Sequence, residues 1–236
     1  MKLRTIGKSL MWVSGAAAAG YAAYVTTAWI RYGRPAAART EDGDPLLDRF
    51  MAVYDVVERH HIGVDAPAEV TYAAACEADL MQSPIVRAIF KGRELILRSK
   101  PDTAPHPRGM LAVTTSMGWR ILAEIPGREV VVGAVTQPWE ANVVFRPLPP
   151  HEFAAFNEPD FVKIVWTLRA DPIGADRSVF RTETRAVATS VSARAKFRRY
   201  WSFLSPGIII IRWMGLGPVK AEAERRAQMR AAAVAS

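Results

Sequence analysis

Phe161 to Arg169 reads FVKIVWTLR, and Ser178 to Ala186, after the turn residues Gly174-Ala175-Asp176, reads SVFRTETRA. In the first, Val162, Ile164, Trp166 and Leu168 alternate with Lys163, Thr167 and Arg169. In the second, Phe180, Thr182, Thr184 and Ala186 share one side, and Arg181, Glu183 and Arg185 the other. A period of two with one apolar side is the pattern of a sheet covered on one face. From Ser192 the period becomes helical: Ala193, Phe197, Tyr200, Trp201 and Leu204 fall on one stripe, with Arg194, Lys196, Arg198 and Arg199 opposite. An antiparallel pair feeding a long amphipathic helix is the frame, and it places the chain in the α+β class.

Working upstream, Trp119–Ile125 (WRILAEI), a turn at Pro126-Gly127 and Glu129–Val135 (EVVVGAV) predict a hairpin, with a further strand at Asn142–Arg146. A first strand is expected over Val53–Val64. Asp65-Ala66-Pro67-Ala68-Glu69 then has the composition of a helix start, and that helix is expected to reach about Leu80. Ser83-Pro84 opens a second helix, Pro84–Lys91, and the proline-rich stretch Ser99–Gly109 is an exposed loop. Downstream, Pro206-Gly207 should break or kink the long helix. Ile208–Leu216 is too short to span a bilayer and too apolar to lie free in water. It should complete the lid of the fold or dip into a membrane interface.

At the other end, residues 9–30 (SLMWVSGAAAAGYAAYVTTAWI) hold no charge, and 22 residues are enough for a helix to cross a bilayer, which needs about 20. Trp12 near one end, with Tyr24 and Trp29 towards the other, suits the membrane–water interface. A cleaved signal peptide is the competing reading, with small residues at Ala36-Ala37-Ala38. Arg31 and Arg34 would then lie between the apolar run and the cleavage point, which disfavours processing. The expectation is a single-pass membrane protein anchored in the lipid bilayer through residues 9–30. Three basic residues flank the run on each side, so the rule that sets orientation has no excess to act on. The chain divides as 1–32 anchor, 33–49 linker, 50–216 domain and 217–236 basic tail.

The net charge is +8, but it is unevenly placed. Residues 1–40 carry six basic and no acidic residues, 205–236 five basic and two acidic, and 41–204 twenty basic against twenty-one acidic. Nucleic-acid binders concentrate basic residues on the domain that meets phosphate, so no nucleic-acid partner is expected. The excess at the two ends suits anionic headgroups or solubilising tails. Cys76 is the one cysteine, which excludes an internal disulfide and a cysteine-based zinc site. Glu58 and His60 would share a strand face, a candidate acid/base pair, whereas His60 and His61 point apart and cannot easily share a metal. Polar surface residues explain that segment as well. His106 and His151 read as loop residues, and Glu183 reads as a cross-strand ion pair with its arginine neighbours. No nucleotide-binding glycine loop, nucleophile elbow or zinc pattern occurs, so neither a metal, a cofactor nor a catalytic residue is assigned.

The order of strand, two short helices, antiparallel strands and a long C-terminal helix resembles the START/Bet v 1-like superfamily, also called SRPBCC or polyketide-cyclase-like proteins. The residues that carry this are Ala66-Pro67-Ala68-Glu69-Val70, Gly118-Trp119, Thr182-Glu183-Thr184-Arg185, and Phe197-Arg198-Arg199-Tyr200-Trp201 with Ser205-Pro206-Gly207. Together they are similar to uncharacterised bacterial members, over about Val53–Leu216. The resemblance implies a helix-grip fold, a curved antiparallel sheet wrapped on the long helix, here preceded by one N-terminal transmembrane helix. It also implies a cavity for an apolar ligand, with Trp119, Ile164, Trp166, Phe180, Phe197, Trp201 and Leu204 as candidate wall residues.

Aromatic residues at these spacings build a solid core equally well, so three readings stand. One is a non-catalytic binder of a hydrophobic small molecule or lipid. Another is a cyclase- or aromatase-like enzyme using the same pocket. The last is a filled-core subunit with a membrane-protein partner. If residues 9–30 span the bilayer, the full-length chain stays in the membrane pellet through a carbonate wash, and a chain starting near Thr40 is largely soluble. Release of the full-length chain into the wash would overturn the anchor.

Overall fold

The computed structural model describes residues 2–101 and 107–235, with side chains for 15–101 and 107–233. Helix α1 (Lys2–Arg31) leads into α2 (Pro45–Met51), then strand β1 (Val56–Val64), α3 (Ala68–Glu77) and α4 (Pro84–Leu97). After α5 (Met110–Ser116) come β2 (Arg120–Ile125), β3 (Glu129–Thr136), α6 (Pro150–Ala155), β4 (Val162–Pro172), β5 (Ser178–Ala188) and α7 (Val191–Ala235). One five-stranded antiparallel sheet results, in the order β1-β5-β4-β3-β2.

The alternation in β4 and β5 decides what each face meets. Trp166, Leu168, Ala170 and Phe180 turn to one side, where with Val130 and Val132 they pack on α3 and on Leu216, Val219 and Ala223 of α7. Farther along the same face, Val56, Val162 and Ala186 meet Phe197 and Trp201 of α7, with Tyr32 closing the end. α7 is therefore the gripped helix.

The other face is not open to water, contrary to the one-sided alternation. Leu47 and Met51 of α2 and Phe153 of α6 cover it, packing on Leu122, Val131, Val135 and Val165. α2 forms inside the stretch whose composition reads as a linker. Pro45 presets the first turn, and the Asp44 carboxylate accepts from the Leu47 N–H at 2.8 Å. Lys163, Thr167, Glu183 and Arg185 are consequently buried. The Glu183 ion pair is present, with Arg185 at 2.7 Å and cross-strand Arg59 at 3.1 Å, but it lies under a helix rather than in solvent.

Several elements differ from their sequence expectation. β1 starts at Val56, α3 ends at Glu77, and α4 runs on to Leu97. Asn142–Arg146 is no strand, and only Arg146 forms an isolated bridge, to Val135. α5 and α6 are short helices that periodicity could not show. α7 does not break at Pro206-Gly207, and both Pro206 and Pro218 lie inside it. An internal proline costs about 3 kcal/mol. Here both flanks of the helix are held by buried residues, Phe197 and Trp201 on one side and Leu216 and Val219 on the other, which offsets it. Gly207 has a specific use, since a Cβ there would meet Ile89 Cγ2 of α4 at 2.8 Å. Residues beyond 216 continue the helix, where Arg226 pairs with Glu77 of α3 at 2.7 Å.

The N-terminal transmembrane helix is the main departure. Among the described residues, the one helix long and apolar enough to cross a membrane is Val191–Ala233, which here grips the sheet. Alanine and glycine fill the middle of α1 and contribute little transfer free energy. Residues 15–20 are exposed, while Tyr21 donates to the Phe203 carbonyl at 2.8 Å and Tyr24 bonds Ser205 at 2.8 Å, tying the second half of α1 to α7. The side chain of Trp12 lies outside the described residues. A chain started at Thr40 would also lose Tyr32, which is buried against Phe197 with ring centroids 5.9 Å apart, so a soluble domain has to begin before Tyr32.

Glu129 on β3 is buried beside Asp44. Burial first, then the neighbouring carboxyl, push its pKa up from 4.5 to about 8. An acid whose folded pKa is raised stabilises the fold fully below its unfolded pKa and loses that contribution as pH rises through the folded one. Unfolding free energy should therefore decline between pH 4.5 and about 8, and Glu129→Gln should flatten the decline. Urea titrations across that range check this. A slope unchanged by the substitution would refute it.

Candidate functional site

Between the two regions where α7 touches the sheet there is a cavity of about 610 Å³. Its origin is a matter of side-chain size. Phe197 and Trp201 hold one stretch of α7 off the sheet, and Leu216, Val219 and Ala223, backed by α3, hold the other. Between them β5 presents the small side chains of Thr182 and Thr184, flanked by Phe180 and Ala186, and these leave space beneath the helix. α4 and α5 cover the space from the side with Phe90 and Met110, joined by Met117 just after α5.

Six of the seven expected wall residues line this space: Trp119, Ile164, Trp166, Phe180, Phe197 and Trp201. Leu204 is half-buried and does not line it. Trp119 and Trp166 meet edge to face with ring centroids 6.4 Å apart, and Phe145 lies 5.0 Å from Trp119. The Ile208–Leu216 block divides between two environments. Ile208 and Ile211 face the cavity, whereas Ile210 and Trp213 are exposed.

Arg212 is the charged residue that α7 contributes to this wall. The guanidinium of Arg212 lies 4.8 Å from the centroid of the Trp166 ring, and its Nη1 donates to Thr182 Oγ1 at 3.5 Å. Burial lowers its pKa from 12.5 to about 10. The hydroxyl of Thr184, also on the wall, is buried without a hydrogen-bond partner. Arg212 is legible in hindsight as the lone charge in the apolar run from Ile208 to Leu216. The contributions of α4 and α5 carried no such signal.

Glu58 and His60 do share a face of β1, with His60 Nε2 4.0 Å from the Glu58 carboxylate. Burial pushes Glu58 up to about 7. His60 is lowered by burial and then by the charges of Arg212 and His61. Neither lines the cavity. His61 points outward, as alternation requires, and His151 is exposed beside Glu152. His106 lies outside the described residues. Burial raises the half-buried Cys76 thiol to about 11, so it is not a ready nucleophile. Among the described residues, no group of three or more histidine, cysteine or acidic side chains could hold a metal ion.

No protein-family model and no curated protein matches the chain. Similar crystal structures include hypothetical protein jhp0584 from Helicobacter pylori, at 6% identity over 80% of this chain and 99% of that one, with TM-score 0.38. CalU16 from Micromonospora echinospora shares 16% identity over 76% of this chain and 88% of its own, with TM-score 0.26. The Zhui aromatase/cyclase from Streptomyces sp. R1128 shares 16% over 72% and 94%, with TM-score 0.22. Scores this low carry no conclusion about what this chain does. The fold and cavity themselves define the class: an α+β protein whose five-stranded antiparallel sheet and long C-terminal helix enclose an apolar space.

Trp166 borders a void, whereas Phe153 is fully enclosed in the layer beneath α6. Phe153→Ala should cost the about 3–5 kcal/mol typical of a filled core. Trp166→Ala should cost distinctly less and leave the chain folded. Chemical denaturation of both variants decides it, and equal losses would mean that the space beside Trp166 closes up in solution.

Proposed function

We propose that this chain binds a single hydrophobic small molecule or lipid in the cavity, without transforming it, while residues 9–30 hold it at a membrane. The cavity carries the reading. At about 610 Å³ it falls within the roughly 300–1,000 Å³ of small-molecule sites. Its walls are mostly apolar with a smaller number of polar groups, the composition such sites have. A filled-core subunit would have no use for a space of this size, and empty apolar volume weakens a fold.

Support for the membrane lies in α1. Its Ala- and Gly-rich stretch 15–20 is exposed, with nothing within 4 Å of where a Cβ would stand at Gly15 or Gly20. Gly15 and Gly20 weaken this stretch as a helix in water, each by about 1 kcal/mol relative to alanine. Trp29, Ile30 and Tyr21 on α1, with Phe203, Ile210 and Trp213 on α7, are large exposed apolar side chains suited to a bilayer boundary.

An enzymatic use of the same pocket, of the cyclase or aromatase sort, is the second reading, and the observation favouring it is the polar group of Arg212, Thr182 and Thr184 on the wall. Glu58 and His60, the acid/base pair readable from sequence, lie off that wall and lend it no support.

Native mass spectrometry of the full-length chain from detergent tests the proposal. The expected result is a co-purifying apolar species near one per chain, released unchanged. A chain that carries nothing and takes up no added amphiphile would overturn binding, and release of a chemically altered molecule would favour the enzyme.

A further inference from the structure

We infer that the ligand is an apolar monoacid whose carboxylate seats against Arg212, with its hydrocarbon or ring body along the aromatic wall. This rests on the reading that the cavity holds an apolar ligand, and it names that ligand's polar end.

The argument begins with an unbalanced charge. Among the described residues no carboxylate lies within ion-pair distance of Arg212, and burial alone acts on its acidity. Its one hydrogen bond, to Thr182 at 3.5 Å, is at the limit of a hydrogen bond and goes to a neutral group. Arginines of the sheet that are buried or half-buried are treated differently. Arg185 on the outer face has Glu183 and Asp48 as partners, and Arg169 has Asp171 at 2.8 Å. Arg212 is half-buried, facing the cavity, and a partly desolvated guanidinium without a counter-charge costs stability that an apolar side chain of similar volume would not. Where a fold keeps such a charge facing an open cavity, the counter-charge has to come from outside.

The surroundings of Arg212 select the kind of partner. The guanidinium carbon lies over the face of Trp166, 4.8 Å from its ring centroid, and one long bond to Thr182 leaves most of its N–H groups without a protein acceptor among the described residues. Carboxylates match that fork with two parallel hydrogen bonds. Close by on β5, the Thr184 hydroxyl is buried and unpartnered on the cavity wall, a spare donor for an acid oxygen. The remaining charges on the wall are Arg93, Lys100 and Glu94, and Glu94 already pairs with Lys91 at 2.8 Å. The interior therefore presents positive charge to an entering molecule and repels cationic amphiphiles.

The test uses the full-length chain in lipid nanodiscs, with empty nanodiscs as blank. Tryptophan-to-dansyl energy transfer from the wall tryptophans reports binding of 11-(dansylamino)undecanoic acid and of its methyl ester. The expected result is saturable one-to-one binding of the acid, weaker binding of the ester, and at least tenfold loss of acid affinity in Arg212→Met with the ester unaffected. Arg212→Met should also melt no lower than the wild type, because it removes an uncompensated charge, and Arg212→Lys should retain part of the preference for the acid. Equal binding of acid and ester, unchanged by Arg212→Met, overturns the inference while leaving the cavity a binding site. Absence of saturable binding of either probe overturns the binding reading itself. A marked fall in melting temperature for Arg212→Met, with Arg212→Lys binding acid no better than ester, assigns the arginine to the fold and also overturns the inference.

Discussion

The whole arrangement depends on α7 being held away from the sheet at two places rather than along its length. Aromatic residues do this at one end, where Phe197 packs with Tyr200 and Trp201 at centroid distances of 6.2 and 5.9 Å. Aliphatic residues backed by α3 do it at the other. A helix of 45 residues is stiff on this scale, so the intervening turns bridge the gap instead of collapsing into it. Small β5 residues keep the gap open, and Pro206 is tolerated because packing on both sides, more than local propensity, keeps the helix in line.

The sheet can afford one hollow face because its other face is tightly filled. Arg185 ties that layer together. It bonds Glu183 on its own strand, Asp48 of α2 and the carbonyl of Met51, and its guanidinium lies 4.7 Å from the Tyr54 ring centroid. Such a buried ionic group adds little net stability over an apolar replacement. It does fix where α2 sits, since every partner is directional. With α2 fixed, Leu47 and Met51 seal the outer layer, and strand twist and spacing are set from that side, independently of what fills the cavity.

How much of this was readable in the sequence follows from the strength of each local signal. β4, β5, the β2–β3 hairpin and the start of α7 have long runs at a clear period, and they fall within a few residues of their expected positions, whereas the continuation of α7 past Pro206 was not legible. α2 and α6 are seven and six residues long, shorter than two helical turns, so periodicity has nothing to act on. Their clues were local: Asp44-Pro45 and Pro149-Pro150 are helix starts embedded in stretches that look like loops. Missing them made the outer sheet face look solvated and turned a buried ion cluster into a surface pair. The wall residues were legible as an apolar face, but Trp166 and Phe180 would look the same against a solid core. Whether space exists depends on the distance to α7, which no single residue encodes. Arg212 stood out only once its surroundings were known, because a lone arginine in an apolar run is as often an exposed break as a buried charge.

α4 closes one side of the cavity yet is thinly attached. Its substantial contacts are with α7 and with the short 3₁₀ turn at Leu80–Gln82, and Ile85, Leu95 and Ile96 on it are exposed. Segments with few buried apolar contacts open at a small fraction of the free energy of global unfolding. Exchange of the cavity's contents with the outside would then be timed by transient detachment of this one helix, with the sheet and α7 undisturbed. How long an occupant stays would be set by how firmly Ile89 seats beside Gly207, a contact remote from any polar group that recognises the occupant. Affinity and residence time could therefore change separately in evolution, the first through residues lining the cavity and the second through a helix packed beside it.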